Sequence, residues 1–111
     1  MDWIHLENEQ QLQGIVAGER PTLIFKHSTR CAVSSMAKRN IALDADAIPA
    51  NVDAYYLDLI RYRTLSNEVA RIWEVRHESP QVLLVQGSTC LYHASHGEID
   101  IPTAVAALPR A

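Results

Sequence analysis

The sequence predicts an α/β fold in which a central mixed four-stranded sheet carries helices on both faces. Three observations lead there. Apolar runs at 22–25, 54–60 and 81–86 have the length and composition of buried strands. Amphipathic helical patterns follow the first two runs. The third run leads through Gly87-Ser88-Thr89 into an alternating segment, which reads as a hairpin. Parallel crossovers followed by a hairpin build a mixed sheet with both faces covered.

Taken in order, Trp3-Ile4-His5-Leu6 is an apolar opening, either an edge strand or a lead-in segment. Asn8 followed by Gln11 has the spacing of a capping box. Leu12, Ile15 and Val16 then form one buried stripe, so a helix is expected over 9–17, ended by Gly18 and Pro21. Thr22-Leu23-Ile24-Phe25 is the first central strand. Behind Cys31, the residues Val33, Met36, Ala37 and Ile41 mark the expected buried face of a second helix, with Lys38, Arg39 and Asn40 on its wet side. The aperiodic stretch 44–53 reads as a loop, and 54–60 as the second central strand. Leu65, Val69, Ile72 and Trp73 repeat at i, i+4, i+7 and i+8, a third helix with Thr64 or Ser66 as its cap. The hairpin 81–95 follows. Asp100 caps a last short helix that has Pro102 in its first turn, Val105 and Leu108 facing inward and Pro109 at its end. This order of elements is the thioredoxin-like arrangement.

The totals bound the function. The 111 residues suffice for one domain, expected over 1–111, and are too few for two. Net charge is −3, from 10 basic and 13 acidic residues, without the basic excess that nucleic-acid binding calls for. No apolar run approaches the roughly 18 residues needed to cross a bilayer. The N-terminus has Asp2 where a signal peptide would be basic. The expectation is a cytoplasmic protein that binds neither nucleic acid nor membrane. Cys31 and Cys90 are then two free thiols, since a reducing compartment disfavours a disulfide.

Cys31 is the leading candidate for chemistry. It stands at a strand–loop–helix junction, where the first N–H groups of a helix converge and a negative charge gains about 0.3–2 kcal/mol. Only a thiolate attacks a disulfide, and such a setting favours one. Lys26, His27 and Arg30 would add to this if their heads turn toward the sulfur. Ser34 occupies the place where a C-x-x-C pair would carry its second thiol. Its hydroxyl can support a thiolate by hydrogen bonding, and it cannot resolve a mixed disulfide. Thr29 and Arg30, in the loop before the thiol, are candidate substrate-binding residues. So are Ser79 and Pro80: X-Pro before a buried strand suits a cis peptide, and its loop would lie beside Cys31 and offer Ser79 backbone groups to an extended partner. His77, His93 and His96 invite a metal reading, yet His93 and His96 would point to opposite faces of a strand and no ligand set completes them, so no metal is expected.

These residues bear a family resemblance. Phe25-Lys26-His27-Ser28-Thr29-Arg30-Cys31, Tyr56-Leu57-Asp58, Ser66-Asn67, Val75-Arg76-His77-Glu78-Ser79-Pro80-Gln81 and Tyr92-His93-Ala94-Ser95-His96 together resemble the monothiol bacilliredoxins, the YtxJ-like proteins of the bacillithiol system. The resemblance runs from Trp3 to about Gly97. It implies a thioredoxin fold in which Cys31 is the nucleophile that takes a bacillithiol adduct from another protein. Pro80 is then the cis-proline beside it, and Ser34 holds the place of a second cysteine. Family members often have proline after the cysteine, where this chain has Ala32.

The expected function is therefore monothiol thiol–disulfide exchange on S-thiolated proteins, through Cys31. Bacillithiol or a similar low-molecular-weight thiol is the co-substrate, and no tightly bound cofactor is expected. Two alternatives stay open on sequence: a glutaredoxin-like protein that uses glutathione or ligates an iron–sulfur cluster, and a thioredoxin-fold interaction module with no catalysis.

Overall fold

Strands and helices alternate along the chain as far as a closing hairpin, and the helices pack on the two faces of one sheet. A computed structural model describes residues 1–109. The last two residues of the expected domain, Arg110 and Ala111, lie outside the described residues. The elements are β1 (Ile4–His5), α1 (Glu9–Ala17), β2 (Thr22–His27), α2 (Ala32–Leu43), β3 (Asp53–Asp58), α3 (Arg63–Trp73), β4 (Gln81–Gln86), β5 (Thr89–Ser95) and α4 (Ile101–Ala106). Short 3-10 turns lie at Ala45–Ala47 and His96–Glu98.

The sheet runs β1-β3-β2-β4-β5. Its first three members are parallel, β4 is antiparallel to β2, and β5 returns antiparallel to β4 across the two-residue turn Gly87-Ser88. The mixed sheet is as expected but has five strands, not four. The extra one is the two-residue β1, which aligns Ile4 with Tyr55 and His5 with Tyr56. Leu6 N–H extends the pairing by donating to Tyr56 O at 2.9 Å. Two residues carry too little alternation for the sequence to distinguish a strand from a lead-in.

Two apolar layers sandwich the sheet. Ile24, Leu57, Leu83 and Val85 meet Leu12 and Ile15 of α1 and Leu65, Val69 and Trp73 of α3 on one face. Leu23, Phe25, Tyr56, Val82 and Leu84 meet Ala37 and Ile41 of α2 and Ile101 of α4 on the other. Because both faces are covered, β2 and β4 read as continuous apolar runs and not as alternating ones.

The helix ends follow local chemistry. Asn8 accepts from Gln11 N–H at 2.9 Å and Gln11 Oε1 accepts from Asn8 N–H at 3.2 Å, completing the capping box of α1. Asp100 accepts from Thr103 N–H at 3.0 Å and starts α4. Two expectations need correction. Helix α3 begins at Arg63 with Tyr62 in the cap position, so neither Thr64 nor Ser66 caps it. On α2 the buried residues are Ser34, Ala37 and Ile41, while Val33 and Met36 are 51% and 54% exposed. The hydroxyl of Ser34 finds polar partners beneath the helix. That sets the rotation of α2 and turns Val33 and Met36 outward.

Candidate active site

The parallel strands β2 and β3 end on the same edge of the sheet as β4 begins. Cys31, the turn after Asp58 and the Ser79–Pro80 step therefore gather at one end of the molecule. Asp58 shapes its turn by accepting from the N–H groups of Ile60 and Arg61 at 3.1 and 3.3 Å. Continuing the β2–β4 register, which pairs Lys26 with Gln81, sets Pro80 beside His27. The Ser79–Pro80 peptide is cis, as its place before a buried strand suggests.

Cys31 is the N-cap residue of α2, with extended backbone angles and a half-buried side chain. Its sulfur thus sits at the end of the helix where backbone N–H groups lack intrahelical partners. The loop before it is drawn tight: Cys31 N–H donates to Ser28 O at 3.2 Å, and Ser35 N–H donates to Cys31 O at 3.1 Å. Thr29 and Arg30 are exposed in this loop, on the approach to the thiol.

Ser34 lies fully buried one helical turn beyond Cys31. Its Oγ accepts from Ser28 N–H at 3.0 Å and shares a hydrogen bond of 2.6 Å with His27 Nδ1. The hydroxyl is thus engaged with the loop and the strand end. His27 is buried between the rings of Phe25 and Tyr56, at centroid distances of 5.5 and 5.4 Å. Burial, aided by the nearby Lys38 ammonium, lowers its pKa against the opposing pull of Asp58, so the ring is held neutral. Lys38 itself lies over the Tyr56 ring at 4.9 Å.

Lys26 departs from the sequence expectation. Strand alternation sends it to the opposite face from His27, away from α2. There it is fully buried, with Nζ donating to Ser66 O at 3.1 Å and lying 3.2 Å from His77 Nδ1. Burial lowers its pKa from 10.5 to about 8. Gln81, its cross-strand neighbour, donates through Nε2 to Arg76 O at 2.9 Å. Sequence reasoning missed Ser66, His77 and Gln81 as a group. The period-2 alternation of β2 was the available signal, since it separates Lys26 from Phe25 and His27.

The opposite wall is the Ser79–Pro80 step. Pro80 is buried, and its carbonyl accepts from His96 N–H at 2.9 Å. Ser79 Oγ is buried and has no hydrogen-bond partner among the described residues. Cys90, the other thiol, lies on β5 at the edge of the sheet, where its S–H donates to Tyr92 O at 3.4 Å and burial raises its pKa.

Comparison with solved structures bears out the fold. A candidate oxidoreductase with a thioredoxin fold superposes with a TM-score of 0.77 at 26% identity, over 94% of this chain and 91% of that one. A thioredoxin of Malassezia sympodialis superposes at 0.73 and 16% identity, over 96% and 86% of the two chains. The oxidised mitochondrial thioredoxin 3 of Saccharomyces cerevisiae does so at 0.71 and 17%, over 94% and 90%. The family model for the monothiol bacilliredoxin BrxC matches residues 4–103, from β1 through all five strands and into the first turn of α4. With a thioredoxin fold and a thiol at the start of α2, the chain is a thiol oxidoreductase, and it belongs to the monothiol bacilliredoxin BrxC family.

Proposed function

We propose that this protein removes bacillithiol, or a similar low-molecular-weight thiol, from protein mixed disulfides by exchange at Cys31. The observation that carries the reading is Cys31 at the N-cap of α2 with a buried serine, not a thiol, at position 34. The Cys31 thiolate attacks the sulfur of the small thiol. The mixed disulfide breaks, the target leaves as a thiolate that takes up a proton, and the adduct now sits on Cys31. A second molecule of small thiol then attacks that adduct, regenerating Cys31 and leaving as a symmetrical disulfide. Attack, leaving group and access together set such rates.

The other residues serve this step without touching electrons. Ser34 and His27 hold the loop that presents Cys31. Thr29 and Arg30 meet the partner on the exposed side, where a cation suits an anionic thiol. Ser79 and the cis-Pro80 form the facing wall. No backbone hydrogen bond involves Ser79 among the described residues, so its peptide groups are open to an extended segment of the S-thiolated protein. The proposed setting is the cytoplasm, where thiols stay reduced. No helix among the described residues is long and apolar enough to cross a membrane.

Mass spectrometry after incubation with a bacillithiolated protein tests the proposal. The adduct is expected on Cys31, lost in Cys31→Ser and retained in Cys90→Ser. An adduct that never leaves the donor protein, or that accumulates on Cys90, would sink it.

A further inference from the structure

Lys26 is a fully buried cation for which nothing in the exchange chemistry above has a use. Its ammonium has no carboxylate within ion-pair distance among the described residues. A buried charge of this kind is costly, and a side chain whose only task was to fill the space would be apolar. The two groups it does touch are distant in sequence. One is the carbonyl of Ser66, in α3. The other is Nδ1 of His77, three residues before the cis-proline.

His77 Nδ1 faces an ammonium, which can only donate, so the neutral ring carries its hydrogen on Nε2. Ser66 Oγ lies 3.3 Å from the same Nδ1. The 74–80 segment therefore hangs from the sheet at His77, and again at Arg76, whose carbonyl accepts from Gln81. The segment leaves α3 at Glu74 in a left-handed turn (φ 54°), with Val75 N–H donating to Ala70 O at 3.1 Å and its side chain in the core, and it ends where Pro80 O accepts from His96 N–H at 2.9 Å. Gln81 is also 1% exposed and pairs with Lys26 across the β2–β4 ladder. Besides the ladder itself, the strand that leads into Cys31 and the segment that leads into Pro80 are thus joined at His77 by the Lys26 ammonium.

We propose that Lys26 is a positioning residue for the exchange reaction, its ammonium fixing the 74–80 segment, and with it the Ser79–Pro80 wall, against the strand that presents Cys31. This rests on the reading of Cys31 as the exchanging thiol. Lys26 acts on the partner side of the site and leaves the thiol itself untouched. That separation is what distinguishes positioning from a general structural role. A displaced wall spoils the alignment of the mixed disulfide, and misplacements of about 1 Å can cost on the order of 100-fold in rate.

The test compares Lys26→Met, His77→Leu and His77→Gln in two reactions: exchange with a bacillithiolated protein, and alkylation of Cys31 by iodoacetamide, which needs no wall. Lys26→Met and His77→Leu are expected to slow protein exchange by about 10- to 100-fold. Alkylation should stay within about twofold of wild type. His77→Gln, which keeps a side-chain acceptor for the ammonium, should recover most of the exchange. In Lys26→Met the imidazole of His77, followed by NMR, should titrate at higher pH, because the ammonium that opposes its protonation is gone. His77 is on the surface side of the network, so its variants report independently of Lys26→Met. Variants that exchange at the wild-type rate, or that lose alkylation in step with exchange, overturn the role of Lys26 alone. A wild-type protein that accepts no adduct overturns the reading of Cys31 as well.

Discussion

Lys26 and His27 are adjacent, both buried and both hydrogen-bonded to a helical serine residue, yet they stabilise the site in opposite ways. His27 enters the face covered by α2, packs tilted between the rings of Phe25 and Tyr56, and bonds to Ser34. Burial suits it because its neutral form is the one that prevails. Lys26 enters the face covered by α3, where its ammonium bonds to the Ser66 carbonyl and to His77. Burial opposes the charged form that makes those bonds. One face is built from tilted, closely packed rings and a satisfied hydroxyl. The other keeps an uncompensated charge. A strand end that carries the active-site loop can thus be tied down on both sides, with stability on one side and at the expense of stability on the other.

Lys26→Met should sharpen this contrast most. The depression from 10.5 to about 8 corresponds to roughly 3 kcal/mol favouring unfolding at pH 7, less whatever the lost hydrogen bonds contribute. The sign follows from the lowered pKa: the unfolded lysine binds its proton more tightly, so the penalty is full below about pH 8 and gone above about 10.5. Urea denaturation should find the variant more stable than wild type at pH 7, with the gap closing as pH rises through that window. A variant less stable than wild type at pH 7 would break the comparison.

Ser34→Ala acts on the other face and should be destabilising at every pH. It leaves Ser28 N–H and His27 Nδ1 without their partner, at a cost of about 1–3 kcal/mol. The same denaturation series should show it, and exchange at Cys31 should slow because the loop that presents the thiol loosens.

A smaller effect is expected on acidification. His27 and His77 both have lowered pKa values in the folded chain, His27 by burial and then Lys38, and His77 by burial and then Lys26 and Arg63. Their unfolded forms take up protons at about pH 6.5, above the folded ones, so stability is lost as pH falls below that value. A stability that stays flat between pH 7 and 5 would contradict the neutral assignment of both rings. Smallest of all, Lys38→Ala should move the His27 titration upward, measurable by NMR, with little change in folding.

Several of these features could be read along the chain, and others could not. The Asn8–Gln11 box, the Leu65–Val69–Trp73 stripe and the hairpin turn are local, and each appears where its spacing places it, except that Thr89, read as part of the turn, opens β5. Cys31 at a helix start and Pro80 before a buried strand are equally local signals. The rotation of α2 was not legible: Val33 and Met36 look like core residues until Ser34 is seen bonded to His27. Nor was the direction of Lys26, which looks like a neighbour of the thiol because it lies five positions before it.

What the sequence by itself determined is the order of elements, the family and the position of a lone thiol at the mouth of a helix. The order of elements and the helix start depend on periodicity, caps and turn residues, whose energetics act within about one turn or one hairpin, and the family on the motifs around Cys31 and Pro80. Only the tertiary structure decided that Lys26 meets Ser66 and His77, residues 40 and 51 positions away, while His27 meets Ser34. Which partner a polar side chain finds depends on the sheet face it leaves from and on which helix covers that face. Both are consequences of packing, because a buried polar group must be satisfied by whatever the fold brings to it.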